Sequence, residues 1–183
     1  VSAIYRTRHV LHALETVVPQ KLAARKDPLL GSPTISCGMI DGGEKPNVVP
    51  ARCTLHRAGR ILPGRDAQAF VDQVMGWVRE SAGEAAGPLT VHGIERSAAF
   101  AIPRDHPFTA TVLAASRKAL GPGVEPVGGA FFSDAGPIAA AGTPCIVVGP
   151  GDFAPAHTPD EYLDIDELIR CADITENIIR TLV

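Results

Sequence analysis

The stretch from Gly149 to Glu161 carries Gly149, Pro150, Gly151, Pro155 and Pro159, so neither a helix nor a strand ladder can run through it. Before it stands Pro144-Cys-Ile-Val-Val148, a β-branched apolar run bounded by turn residues, which predicts a short buried strand. After it, Asp164-Ile-Asp-Glu-Leu opens a helical period that runs to Leu182. Its apolar stripe is Ile165, Leu168, Ile169, Ala172, Ile178, Ile179 and Leu182, and Asp164 with Glu167 has the spacing of a capping box. A strand, a stiffened loop and a helix in that order form an α/β unit. The unit sets His157 just past a strand end, where such folds place ligands and chemistry. A lone loop histidine is usually structural or solvated, so His157 takes its meaning from its neighbours.

A chain of 183 residues can bury a core as one large domain or two small ones. With 45% apolar and 20% charged residues, it has the composition of a soluble globular protein. A net charge of -3 without a basic cluster argues against nucleic acid and anionic membranes as partners. No apolar run approaches the roughly 18 to 20 residues that span a bilayer, and no secretory leader is visible, so a cytoplasmic protein is expected. Cys37, Cys53, Cys145 and Cys171 match no metal or redox spacing and read as small core residues rather than disulfides. The chain opens without Met, directly in helical periodicity, as expected of a fragment, a processed product or a trimmed chain.

Residues 3 to about 24 predict an amphipathic helix, with Ile4, Leu11, Leu14, Val18 and Leu22 on one face. Thr34–Ile40 alternates apolar and polar residues as a half-buried strand does. Asp41–Pro46 reads as a turn, and Ala51–His56 as a second strand closing a hairpin. Asp66 is the expected N-cap of a helix over 67–81, with Phe70, Val71, Val74, Trp77 and Val78 inward and Gly83 near its C-terminal end. Leu89–Ile94 predicts a further short strand. The α-β-β-α-β order is an α+β sandwich, a split β-α-β-β-α-β unit without its first strand. From about residue 103 the style changes to α/β. Asp105 is the expected cap of a helix through Leu120, a glycine-rich segment closes on Ser133-Asp134, and Ile138–Ala141 suggests a short helix.

A two-metal hydrolase needs about four to six His or carboxylate ligands and a carboxylate to deprotonate water. Neither a His-x-Asp motif nor a Glu-Glu pair stands in this chain. His9 and His12, spaced i, i+3, read as a solvated helix face, and His56, His92 and His106 have no partner at ligand spacing. Gly121-Pro-Gly and Gly128-Gly are not phosphate loops, because no Lys-Ser/Thr follows.

Three motifs, taken together and in order, resemble a known family. They are Gly42-Gly43 with Asn47-Val-Val-Pro50, Cys53-Thr-Leu and Arg60-x-x-Pro-Gly64; Ser133-Asp134-Ala-Gly136; and Gly149-Pro-Gly with Ala156-His157-Thr-x-Asp-Glu161. The pattern is similar to that of the zinc-dependent amidohydrolases and peptidases that include acetylornithine deacetylase, succinyl-diaminopimelate desuccinylase and aminoacylase. The resemblance implies a ferredoxin-like lid and dimerisation domain over 1–103, lacking its first strand, and the C-terminal part of an α/β metallohydrolase catalytic domain over 104–183. It implies that His157 is a ligand of a one- or two-zinc site, with cobalt or manganese as substitutes. Asp134 would orient that site from outside its ligand shell, and Asn47, Arg60 and Ser133 would contact substrate, Arg60 through a carboxylate.

The implied reaction is hydrolysis of an N-acyl amino acid or small peptide amide, in a homodimer formed through the lid. The family's general-base Glu, its remaining metal ligands and its lid histidine match nothing here, which implies an incomplete site and an inactive isolated chain. Ala58-Gly59-Arg60 also departs from the family's Asp-Arg-Arg-like run and keeps only the last Arg. The competing expectation is a non-catalytic remnant that still mediates dimerisation. An independent small-molecule binding domain has only the glycine-rich loops in its favour.

Overall fold

The computed structural model describes residues 1–93, 97–156 and 158–183. The chain divides into two compact units, Val1–Ala99 with Gly128–Phe132, and Phe100–Val127 with Ser133–Val183.

The first unit is built on a helix that changes pitch. Helix α1 (Ala3–His12) passes through a π turn (Ala13–Val17) into α2 (Val18–Ala23). The turn widens where Val18 N–H donates to Ala13, five residues back, one residue ahead of Pro19, which has no N–H to continue the ladder. At its start Ser2 makes no side-chain cap; Ala3 N–H instead donates to the Pro50 carbonyl at 2.9 Å. Strands β1 (Thr34–Gly42) and β2 (Cys53–Arg60) pair antiparallel, from Thr34 opposite Arg60 to Gly42 opposite Cys53, with a bulge at Gly38. Ladder pairing extends β1 through Asp41 and Gly42, beyond the expected strand end, and carries β2 on to Arg60.

Helix α3 (Ala67–Ala82) is capped as expected, the Asp66 carboxylate accepting from Ala69 N–H at 2.8 Å, and it stops at Gly83, whose φ of 54° favours glycine. Val10, Ala13, Leu14, Val18 and Leu22 form the core with Val74, Val78, Ala82 and Ala86, and Ile35, Leu55, Phe70, Trp77 and Leu89 pack around it. Lys21 and Arg25 flank the Trp77 ring at 5.6 and 5.8 Å from its centroid, and their heads reach Glu80 and Gln73.

The expected third strand is not formed. Residues 89–93 are irregular, and Ile94 lies outside the described residues. Gly93 turns the backbone at φ 60°, His92 and Thr90 bond each other at 3.0 Å, and Leu89 reaches the core alone. Among the described residues the sheet is therefore two-stranded within a mixed α/β chain.

In the second unit α4 (Pro107–Leu120) packs on α6 (Ile165–Leu182), with Thr109, Val112, Ala115 and Ile174 buried and Lys118 bonded to Asn177 at 3.0 Å. The cap of α4 is His106, not Asp105. Pro107 holds the residue before it extended, which makes that residue the N-cap, and its Nδ1 accepts from Phe108 N–H at 3.1 Å. Glu125 accepts from both Arg104 and Arg117, tying together the loops on either side of α4. Helix α5 (Ala135–Ala140) is short.

Two expectations fail in this unit. Pro144–Val148 forms no strand, because a ladder needs a partner and none lies beside it among the described residues; Val147 and Val148 are exposed. Most of the stripe of α6 is exposed as well, Ile178 being half-buried, and Ile174, outside the expected stripe, is the buried residue of the helix. The four cysteines are free and half-buried. Among the described residues no helix is long and apolar enough to cross a membrane.

Candidate functional site

Asn47 sits in the exposed turn between β1 and β2. Gly43, at φ 84°, bends the chain out of β1, Val48 N–H closes on the Lys45 carbonyl at 3.1 Å, and Pro50 anchors the far side to α1. Ile4 also lies against Gly42, where a β-carbon would stand 3.2 Å from its side chain. Arg60 is the last residue of β2, exposed and paired with Thr34. The hairpin thus holds Asn47 and Arg60 at opposite ends. Cys53 and Arg60 alone are separated by about 23 Å of extended strand. The structure does not bring these two residues together on one small ligand.

Between them runs a mixed face, on which the exposed Met39 stands opposite His56. Strand alternation puts Leu55 and Arg57 inward and Thr54, His56 and Arg60 outward, beside Thr34, Ser36 and Asp41 of β1. On this face His56 Nε2 meets Asp41 Oδ2 at 2.9 Å, with both side chains more than half exposed. Sequence reasoning missed this pair because it left Asp41 in a turn. The register that sets Thr54 opposite Asp41 puts His56 diagonally across, and the alternation alone did not specify that register. Inward, the Arg57 guanidinium donates to the Met75 thioether at 3.3 Å. Burial lowers its pKa from the ordinary arginine value, and the nearby Cys37 opposes the shift in part.

In the second unit Ser133 and Asp134 precede α5. Ser133 is half-buried, and its Oγ accepts from Ala135 N–H at 3.2 Å, a local turn that uses one lone pair of the hydroxyl and leaves its O–H free to donate. Asp134 is exposed and occupies the cap position of α5 without a side-chain cap bond. His157 lies outside the described residues. The loop on either side of it is a chain of tight turns. Ala156 N–H donates to Phe153 at 3.2 Å, Thr158 N–H to Pro155 at 3.1 Å and Glu161 N–H to Thr158 at 3.2 Å. Asp164 ends the loop by capping α6, its carboxylate accepting from Asp166 N–H at 2.8 Å.

Among the described residues no three His, Cys, Asp or Glu side chains cluster closely enough to hold a metal ion. Those residues do not fit a zinc site by themselves.

The family model of peptidase family M20/M25/M40 matches residues 10–181. Acetylornithine deacetylase of Proteus mirabilis (strain HI4320) is 31% identical over 134 residues, covering 73% of this chain and 33% of that protein. The Myxococcus xanthus acetylornithine deacetylase is 28% identical over 174 residues, covering 93% of this chain and 44% of its own length. An N-acetyl-L-citrulline deacetylase of Xanthomonas campestris pv. campestris is 28% identical over 145 residues, or 78% of this chain and 37% of that protein. The chain spans less than half the length of these curated relatives. A match that runs almost from end to end leaves one conclusion: the chain belongs to peptidase family M20/M25/M40.

Proposed function

We propose that this chain is the lid and the C-terminal catalytic segment of a metal-dependent amidohydrolase that cleaves the amide bond of N-acyl amino acids, as a deacetylase or desuccinylase does. The observation that carries the reading is the family match over residues 10–181, with deacetylases among the relatives. In this reading His157 is one ligand of a zinc site completed outside the described residues, and Asp134 steadies that site. Arg60 binds a substrate carboxylate, for which a planar, permanently charged guanidinium is suited. Asn47 and Ser133 contact the substrate. Residues 1–103 act as a ferredoxin-like lid that also forms a homodimer, and 104–183 belong to the catalytic domain. The separation of Asn47 from Arg60 along the hairpin fits a lid that serves two places at once.

The test joins this chain to the part of the Myxococcus xanthus deacetylase outside the match and follows release of acetate from N-acetyl-L-ornithine with added Zn²⁺ or Co²⁺. The joined protein is expected to hydrolyse the substrate and the chain alone to be inert. His157→Ala should abolish turnover, and Arg60→Ala should raise KM by about tenfold or more, the loss of one charge-assisted bidentate contact. A folded joined protein that hydrolyses no N-acyl amino acid overturns the proposal.

A second reading is a non-catalytic dimerisation module. It is favoured by the absence of a His-x-Asp motif and a Glu-Glu pair from this sequence. A dimer that stays inert with metal and substrate in both forms would select it.

A further inference from the structure

A cavity of about 310 Å³ opens in the first unit between the start of α1 and the turn that follows α3. It stands at the small end of the range of ligand sites, about 300–1,000 Å³, and suits a small metabolite. Its walls are Val1, then Tyr5, Arg6, Arg8 and His9 of α1, with Glu84 of the 3₁₀ turn Gly83–Ala86 across from them. None of the residues given a role above lines it.

At about 100° per residue, Tyr5 and His9 share the middle of one helix face, and Arg6 and Arg8 flank them on either side. Arg6 is half-buried, and its guanidinium lies on the backbone of Gly87, where a β-carbon would stand 2.2 Å from Nη1. Glycine, at φ 70°, permits that approach. Arg8 is exposed, and its Nε donates to His9 Nε2 at 3.2 Å, which leaves both of its Nη groups open. Among the described residues neither guanidinium meets a carboxylate, and Glu84 meets no cation. No polar side-chain atom there is sealed from solvent without a partner, so the N–H groups of Arg6 face open space.

Two free guanidinium groups beside one free carboxylate call for a ligand of inverse charge, with two carboxylates and one ammonium. The planar fork of an arginine matches a carboxylate, and an ammonium is attracted both by Glu84 and by the face of a tyrosine ring. We infer that this cavity binds an acidic α-amino acid of the class of L-glutamate, its two carboxylates on Arg6 and Arg8 and its ammonium between Glu84 and Tyr5. The inference does not depend on the proposed reaction, so its test reads binding alone.

Proton NMR of this chain follows the ring resonances of Tyr5 and His9 while L-glutamate, glutarate or inorganic phosphate is added. Glutarate keeps both carboxylates and lacks the ammonium, and phosphate is an anion of another shape. L-glutamate is expected to shift both rings to saturation, with an affinity about tenfold above that of the other two, the worth of one charge-assisted contact. Arg6→Gln and the exposed Arg8→Gln should each weaken L-glutamate by about tenfold for the same reason, and Arg8→Gln should leave the melting temperature unmoved. Glu84→Gln should act in opposite directions on two ligands. It weakens L-glutamate, whose ammonium loses its partner, and tightens glutarate, which no longer meets a like charge. Acetylation of the Val1 amine should leave the preference for L-glutamate in place.

Glutarate or phosphate binding as tightly as L-glutamate overturns the inference, and so does affinity that survives both arginine variants. It is equally overturned by shifts that do not saturate, by Glu84→Gln moving both ligands the same way, or by binding lost on acetylation of Val1.

Discussion

Phe70 of α3 lies so close to Gly59 of β2 that a β-carbon at position 59 would stand 3.0 Å from its ring. Glycine is there for the approach of a neighbour, since its backbone is that of an ordinary strand residue. The departure from the family's Asp-Arg-Arg-like run therefore has a physical counterpart, because the inserted ring occupies the space that a longer side chain would need. Gly59→Arg is expected to destabilise the first unit by about 1–3 kcal/mol, the cost of overpacking. Phe70→Ala in the same chain should recover part of that loss. Urea denaturation of the parent and the two variants checks it, and a Gly59→Arg protein as stable as the parent would show that the ring moves aside freely.

The two units differ in how much of their apolar surface is buried, and matched truncations should expose the difference. Leu22 is 2% exposed at the centre of the first core, so Leu22→Ala should cost about 2–5 kcal/mol. Ile179, also a large aliphatic residue on a helix, is 56% exposed, and Ile179→Ala should stay within about 0.5 kcal/mol in the chain alone. Melting and urea curves measure both, and equal losses would refute the contrast.

The starts of α3 and α6 are held by carboxylates. Asp66 accepts from Ala69 N–H at 2.8 Å, and Asp164 from Asp166 N–H at 2.8 Å. Asp66→Ala and Asp164→Ala are each expected to cost about 1 kcal/mol, and the Asn variants much less, because the amide oxygen still accepts. Circular dichroism through a thermal ramp distinguishes the Ala variants from the Asn variants.

Arg57 is a half-buried cation whose head meets a thioether, and no carboxylate pairs with it among the described residues. Its desolvation lowers the folded-state pKa below the unfolded value. For a base shifted in that direction, stability rises with pH only across the interval between the two values, which lies far into the alkaline range. At neutral pH the group is charged in both states and the burial cost is constant. Arg57→Leu should therefore raise stability by less than about 1 kcal/mol, because solvent screens a half-exposed head, with the same gain at pH 6 and pH 8. A loss of stability, or a gain confined to one of these pH values, would mean that the guanidinium has a stabilising partner.

The helices were legible because their signals are local. The Asp66 and Asp164 caps, the stop at Gly83 and the 3.6-residue period all act within a turn or two of chain. Asp105 was misread for one residue's worth of reason, the grip of Pro107 on its predecessor. The hairpin was legible as two strands, but the cross-strand meeting of Asp41 and His56 depends on register, which the alternation left unspecified at the turn. Leu89–Ile94 and Pro144–Val148 failed for a different cause. Strand propensity describes a residue's fit to a pleated surface, and a strand exists only where another backbone is available to pair. Of the candidate site, Asn47, Arg60, Ser133 and Asp134 enter through motif resemblance alone. That they stand apart along the hairpin, or at the start of a short helix, could only come from coordinates.

The π turn of the first helix fixes an angle as well as a pitch. One residue corresponds to about 100° of rotation in an α-helix, so the extra residue carried by Ala13–Val17 sets the azimuth of everything ahead of it relative to α2. Deleting a single residue there would bring the two helical stretches to one pitch, with Pro19 left inside it. It would also swing Thr7 and Val10 out of the core, and carry Ala3 away from Pro50 and Ile4 away from Gly42. The loop that presents Asn47 is thus aimed from a distance, by a count of residues in a helix that it touches only at the tip.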